Sequence, residues 1–374
     1  MNITNTIYSI VTRLPPAIDG VGDYSLNLAR QLRQDFGIET HFIVGDTTWK
    51  GATEIEGFPV SKLTSHLATN LVSLLPSNCQ HPIPVLLHYV GYGYAKKGCP
   101  FWLVEGLQAW KNQVANTRLI TMFHETYAFG APWNSVFWLS PLQKNLAARL
   151  TRLSDMCITS KQSYAKTLEK LSFSKQNNIP TLPVFSTIGE PNQVPLLTQR
   201  SRRLVVFGQP PNRRKVYQKS LATLTRTCQE LEIKEIWDVG PPTGMNLTEI
   251  NGFPVVSVGQ ITPLEISTIL LNSIAGFFNY PTEYLAKSTI FAAYCAHGLI
   301  PIGTFSYASS ADGIEPGKHY WLADHQKGSL TLAEAQTIAD NAYNWYQTHN
   351  LSAQAKVFFA YLRNHPINLP KSID

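Results

Sequence analysis

Twice along this chain of 374 residues, short apolar runs alternate with amphipathic stretches, and that double alternation limits the folds open to it. The first series of strand candidates is "TIYSIV" (6–11), "THFIVG" (40–45), "IPVLLHYV" (83–90), "RLITMFH" (118–124) and "MCITS" (156–160). Helical rhythm fills the gaps, as at 23–37, where Leu26, Leu28, Ala29 and Leu32 share a face and Gly37 marks the stop. The second series is "RLVVFG" (203–208), "EIWDVG" (235–240), "PVVSVG" (254–259), "AGFFNY" (275–280) and "LIPIGT" (299–304), with helical patterns at 218–232, 262–273 and 287–298. Strands that are apolar on both faces belong in parallel sheets covered by helices on both sides. The segment 174–202, rich in Pro, Asn, Gln and Ser, reads as a linker. The expectation is an α/β chain of two Rossmann-like domains facing a central cleft, with ligands beyond the carboxyl ends of the strands. No internal repeat or low-complexity tract stands out in the sequence.

Composition removes several classes of protein. Charged residues make up 15% of the chain, below the usual ~25%, so neither disorder nor a coiled coil is expected. No apolar run reaches the ~20 residues of a membrane helix. The opening "MNITNTIYSIVTRLPP" reads as a core strand and turn instead of a signal peptide, which suggests a cytoplasmic protein. The net charge of +6 is scattered, with small groups at 199–203 and 212–215. It suits a phosphorylated ligand or weak attraction to an anionic surface better than nucleic acid. Contact with a membrane surface stays open, since no strongly amphipathic basic helix stands out. Cys79, Cys99, Cys157, Cys228 and Cys295 are odd in number and widely spaced, which argues against a disulfide framework, a zinc site or an activated thiol.

Four segments carry candidate chemistry. In "RLPPAIDGVGDYSLNLARQL" (13–32), Gly20 and Gly22 open a helix whose free N–H groups suit an anion. Ser25 stands where a dinucleotide fingerprint has its third glycine, and the plainer reading is a helix start capped by Asp23. In "RLVVFGQPPNRRKVYQKSLATL" (203–224), a strand ends at Gly208 and a Pro-rich loop carries Arg213, Arg214 and Lys215. A helix is expected to start near Lys219-Ser220. Cations at such a turn could hold a diphosphate and stabilise it as it leaves; the plainer reading is an exposed basic loop. After "AGFFNYP" (275–281), Glu283 emerges at a strand end, and Lys287, Ser288 and Thr289 begin a helix suited to phosphate oxygens. Here the plainer readings are a surface carboxylate and a Ser288 cap. In "RLITMFHETYAFGAPW" (118–133), His124 closes a strand where an imidazole could orient a substrate hydroxyl, or be merely a satisfied polar group. The aromatic, glycine-rich "HYVGYGYAKKGCPFW" (88–102) suggests an acceptor side.

Taken in order, these segments resemble the GT-B glycosyltransferases, in particular the retaining sugar-nucleotide enzymes of glycosyltransferase family 4. The resemblance implies an acceptor-binding domain over 1–185, a nucleotide-sugar-binding domain over 200–350, and a terminal helix in 351–374 packing back on the first. It implies that Arg213 or Arg214, with Lys219, grips the donor diphosphate, Ser220 replacing the usual Gly. Gly259-Gln260-Ile261 would be the base-binding loop. Glu283 would orient the donor sugar, His124 would contact sugar or acceptor, and Gly20–Gly22 would close over the phosphates. The family's second acid is replaced by Phe291, or by Ala293 if the match runs back from Gly298. Neither accepts a ribose hydrogen bond, so Lys287-Ser288-Thr289 would supply phosphate contacts instead. No D-x-D pair is present, which agrees with metal-independent transfer and no cofactor beyond the donor. The acceptor would be a hydroxyl of a glycan, a lipid or a small molecule. The alternatives are a non-catalytic sugar-nucleotide or glycan-binding homologue and, disfavoured by the incomplete fingerprint, a nicotinamide-dependent oxidoreductase.

Overall fold

A computed structural model describes residues 5–77, 83–128, 130, 133, 135–304, 310–323 and 330–363. The chain divides into two compact units. One runs to Leu182 and takes up the chain again from Gln354; the other spans Pro183–Ala353. The change falls within 174–202, and the last helix, Leu351–Arg363, belongs mostly to the first unit.

The first unit holds β1 (Thr6–Val11), β2 (Glu39–Val44), β3 (Glu54–Ile55), β4 (Phe58–Lys62), β5 (Pro84–Tyr89), β6 (Arg118–Phe123) and β7 (Met156–Thr159). They form one seven-stranded sheet in the order β3-β4-β2-β1-β5-β6-β7. The second unit holds β8 (Ser201–Phe207), β9 (Glu235–Val239), β10 (Glu249–Ile250), β11 (Phe253–Gly259), β12 (Ser273–Phe278), β13 (Ile300–Gly303) and β14 (Trp321–Leu322). Their order, β10-β11-β9-β8-β12-β13-β14, repeats that of the first unit strand for strand, although the sequence shows no repeat. All pairs are parallel except the hairpins β3-β4 and β10-β11. Glu56-Gly57 and Asn251-Gly252 turn these hairpins with positive φ at both positions, the geometry that matches strand twist.

Burial explains why the central strands were legible. Every residue of β5 and of β12 is buried, as a strand covered on both faces requires. The helix Gly20–Phe36 buries Tyr24, Leu28 and Leu32 and stops at Gly37, whose left-handed φ of 63° lets its N–H reach the Arg33 carbonyl. The last helix closes the first unit by stacking Phe359 on Phe36, ring centroids 4.1 Å apart, and by accepting the Arg118 Nε–H at the Tyr361 carbonyl at 2.9 Å. Cys99, Cys157, Cys228 and Cys295 are free, and burial pushes the Cys157 and Cys228 thiols up to about 12. Cys79 lies outside the described residues. Among the described residues, no helix is long and apolar enough to cross a membrane, and no His/Cys/Asp/Glu group is placed to hold a metal.

Two buried histidines make the second unit acid-sensitive. His297 bonds through Nδ1 to the Ala293 carbonyl and through Nε2 to Ser267 Oγ, each at 2.8 Å. Burial, aided by the Arg200 charge, lowers its pKa to about 4, and burial lowers that of His349 to about 3. Both stay neutral in the folded chain but would take a proton below about pH 6.5 once unfolded. Their stabilisation is complete above that pH and is lost as the pH falls toward 4 and 3. Between pH 7 and pH 5 each is expected to withdraw about 2 kcal/mol. Thermal unfolding at the two pH values measures this, and an unchanged melting temperature would contradict it.

Candidate functional site

The cations of the second unit are not on a loop. Pro210 and Pro211 occupy the first positions of a helix, Pro210–Lys219, where proline's fixed φ and missing N–H are compatible with helix. The expected Pro-rich loop carrying Arg213, Arg214 and Lys215, with a helix from Lys219-Ser220, is thereby corrected. Arg213 is consequently carried inward and is only 1% exposed. Its Nε donates to the Gly208 carbonyl at 2.8 Å, Nη1 to Asp238 Oδ2 at 2.5 Å, and Nη2 to the Pro241 carbonyl. Tyr217 Oη donates to the other Asp238 oxygen at 2.7 Å. Gly240 makes room for this arrangement, because a Cβ there would lie 2.4 Å from the Gly208 carbonyl oxygen. The guanidinium expected on a diphosphate is thus spent on fastening the loops after β8 and β9. Half-buried Arg214 donates to the Thr243 carbonyl at 3.0 Å.

Lys219 and Ser220 lie at a break between the helices Pro210–Lys219 and Leu221–Glu230. Ser220 takes φ −129°, which needs no glycine. Its Oγ accepts from Asn279 Nδ2 at 2.6 Å and lies 3.2 Å from Thr304 Oγ1. Asn279 and Thr304 follow β12 and β13 directly, so the network holds Ser220 at the carboxyl ends of those strands, with the exposed Lys219 next to it in the chain.

A small, shallow recess opens at the same edge, its polar lining drawn from Asn212, Arg213, Asn279, Tyr280 and Ser288. Ser288 caps the helix Thr289–Ala296 by accepting the Phe291 N–H at 3.2 Å, so its side chain serves the helix as the plainer reading held. Thr289 and Lys287 are half-buried, the Lys287 ammonium 5.9 Å from the Tyr284 ring centroid. Glu283 is exposed on the 3-10 helix Thr282–Lys287.

Gly208 and Gly259 both take positive φ, 125° and 78°. Gly259 ends β11 and accepts the Gly240 N–H, with Gln260 exposed and Ile261 half-buried beyond it. Phe291 and Ala293 are fully buried. The Phe291 ring packs among Phe278, Tyr320 and Trp345 at 5.6–6.4 Å.

In the first unit the helix cap is Asp19, not Asp23. Asp19 Oδ1 accepts from Val21 N at 3.0 Å, Gly22 N at 2.9 Å and Thr12 Oγ1 at 3.0 Å. Two amides that could have met a phosphate are therefore occupied by the chain's own carboxylate, which also adds like charge. Burial and then the Asp19 charge raise the Asp23 pKa to about 6. Gly22 is there for packing, since a Cβ would come 2.1 Å from the Arg13 carbonyl oxygen, whereas Gly20 faces open space.

His124, just beyond β6, is buried with two partners that sequence reasoning missed. Its Nε2 lies 3.1 Å from Nδ1 of His88, and the edge of its ring meets Tyr24 with centroids 5.0 Å apart. Tyr24 Oη in turn donates to Gln354 Oε1 at 2.6 Å. Burial and then the neighbouring His124 hold the His88 pKa well below the usual value, so His88 is neutral. A polar residue inside the all-buried β5 was the available signal for His88, as Asp238 was inside β9.

No protein-family model matches the chain, and no curated protein matches it in sequence. Solved structures do resemble it. An α,α-trehalose 6-phosphate synthase from Burkholderia multivorans is 11% identical, with 96% of this chain and 98% of that one covered and a TM-score of 0.60. A trehalose-6-phosphate structure from E. coli, bound with UDP-2-fluoro glucose, is 10% identical over 96% of this chain and 99% of that one, with a TM-score of 0.61. An α-glucosyltransferase in complex with UDP and a 13-mer DNA is 11% identical over 96% and 99%, with a TM-score of 0.59. Together with the two matching seven-stranded sheets, this likeness shows that the chain has the GT-B fold.

Proposed function

We propose that this chain is a retaining glycosyltransferase that moves a sugar from a nucleoside-diphosphate sugar to a hydroxyl acceptor. The observation that carries the reading is the Asn279–Ser220–Thr304 network, which holds Ser220, the chain neighbour of Lys219, at the carboxyl ends of β12 and β13. That edge is where open α/β sheets take ligands. Structures of the same fold hold UDP and UDP-2-fluoro glucose, so uridine is the proposed base. The ordered likeness of the motifs supports kinship with family 4.

In this reading Lys219 neutralises the diphosphate, aided by Lys287, Thr289 and the amides at the start of helix Thr289–Ala296. Glu283 orients the sugar hydroxyls, and His124 contacts sugar or acceptor. Arg213 positions the loops and does not touch the donor. The bond from the anomeric carbon to the phosphate oxygen breaks, a bond to the acceptor oxygen forms, and the acceptor proton leaves with the diphosphate. The fixed cations supply the charge, so transfer proceeds without a divalent metal. Free thiols suit a reducing compartment such as the cytoplasm.

The buried Phe291 and Ala293 favour a second reading, a sugar-nucleotide binder that does not catalyse. Thermal shift and donor hydrolysis separate the two. UDP at about 100 times its dissociation constant is expected to add about 2.7 kcal/mol under either reading. Only an enzyme should then release UDP slowly from UDP-sugars. No stabilisation by any nucleoside diphosphate would remove both readings.

A further inference from the structure

The first unit exposes an apolar helix face where a polar one is the rule. In helix Ser135–Leu153, the inward side is Gln143, Leu146, Ala147 and Leu150, all buried. The outward side of the first turns is Phe137, Trp138, Pro141 and Leu142, with Trp138 72% and Leu142 46% exposed. Single exposed apolar residues need no explanation, but a contiguous group does. Here the rings of Phe137 and Trp138 meet edge to face at 5.4 Å, and Leu142 follows Trp138 by one turn. Buried Gln143 extends the group sideways, its Nε2 donating to Tyr92 Oη at 3.1 Å and to the Lys97 carbonyl at 2.9 Å. Tyr92, Lys96 and Lys97 are themselves exposed, as is Lys144 on the helix.

Cations outnumber acids beside this face, although Glu125, like Cys99, lies near Tyr89 and Glu105 is exposed on the helix Phe101–Gln113. Neither 91–104 nor 126–154 contains an Asp or Glu, while they contain Lys96, Lys97, Lys144, Arg149 and Arg152. We propose that the first unit docks on an anionic lipid surface through Phe137, Trp138 and Leu142, with Lys96, Lys97 and Lys144 meeting the headgroups. Trp and Tyr rings settle at the level of the headgroups, and lysines beside them draw the surface to negatively charged lipid. A second copy of the chain fits less well, because a two-fold contact would set the same lysines against one another. The inference is independent of the donor assignment.

The test is flotation of the full chain with phosphatidylcholine vesicles prepared with and without phosphatidylglycerol. The wild type should float with the phosphatidylglycerol vesicles and be released by salt, since screening weakens the lysine contribution. Trp138→Ser with Leu142→Ser is expected to weaken that binding by about tenfold or more. Lys97→Glu with Lys144→Glu, at exposed positions that leave folding intact, should weaken it only where phosphatidylglycerol is present. The proposal is overturned if the wild type does not float with phosphatidylglycerol vesicles, or if both double variants float as the wild type does. It is also overturned if gel filtration shows a dimer that Trp138→Ser splits while vesicle binding is absent.

Discussion

Replacing Arg213 with alanine is expected to destabilise the second unit by about 3–5 kcal/mol, because it removes one member of a buried ion pair. Asp238 would keep the Tyr217 hydroxyl but lose its counter-charge in a place closed to water. The Gly208 and Pro241 carbonyls would lose their donors as well. For a unit of this size such a loss corresponds to a fall of about 10 °C in melting temperature. Arg213→Lys should recover only part of it, since an ammonium cannot span three acceptors with a planar fork. A loss below about 1 kcal/mol, typical of exposed pairs, would mean that the guanidinium faces solvent and remains available to a diphosphate.

Lys219→Ala should do the reverse. The residue is exposed, so stability is expected to move by less than about 0.5 kcal/mol. If the proposed function holds, kcat/KM for the donor should fall by about 10²–10³, the usual effect of losing one group that meets charge developing in the transition state. Steady-state rates of UDP release with and without acceptor measure this. Equal rates in variant and wild type would take the diphosphate away from this edge of the sheet. The two substitutions lie six residues apart on one helix, and their opposite profiles separate a positioning cation from a ligand-facing one.

Much of the fold could be read in advance because doubly covered strands are written as unbroken apolar runs. Peripheral β3, β4 and β10 escaped, since strands of two to five residues carry little periodicity, whereas their longer neighbour β11 was legible at 254–259. The Asn251-Gly252 pair was nevertheless a usable hairpin signal. At the site, the segments were found but several roles were not. Asp19 and Asp23 are both plausible caps in sequence; Asp19 won because the end of β1 brings the Thr12 hydroxyl to it. The helix Ser135–Leu153 carries its apolar residues on two sides, so its rhythm does not tell which side is outside.

What the sequence determined by itself was the class of fold, two α/β units in series, because the alternation of buried and half-buried segments is a one-dimensional property of the chain. Only the tertiary structure decided what individual polar groups do. Arg213 and Arg214 are neighbours of like chemistry, yet one is sealed against an aspartate 25 residues away and the other is half in water. His88 and His124 become a pair only when β5 and β6 lie side by side. A polar side chain is governed by the partners and the water it finds in space, and those come from parts of the chain that local pattern does not register.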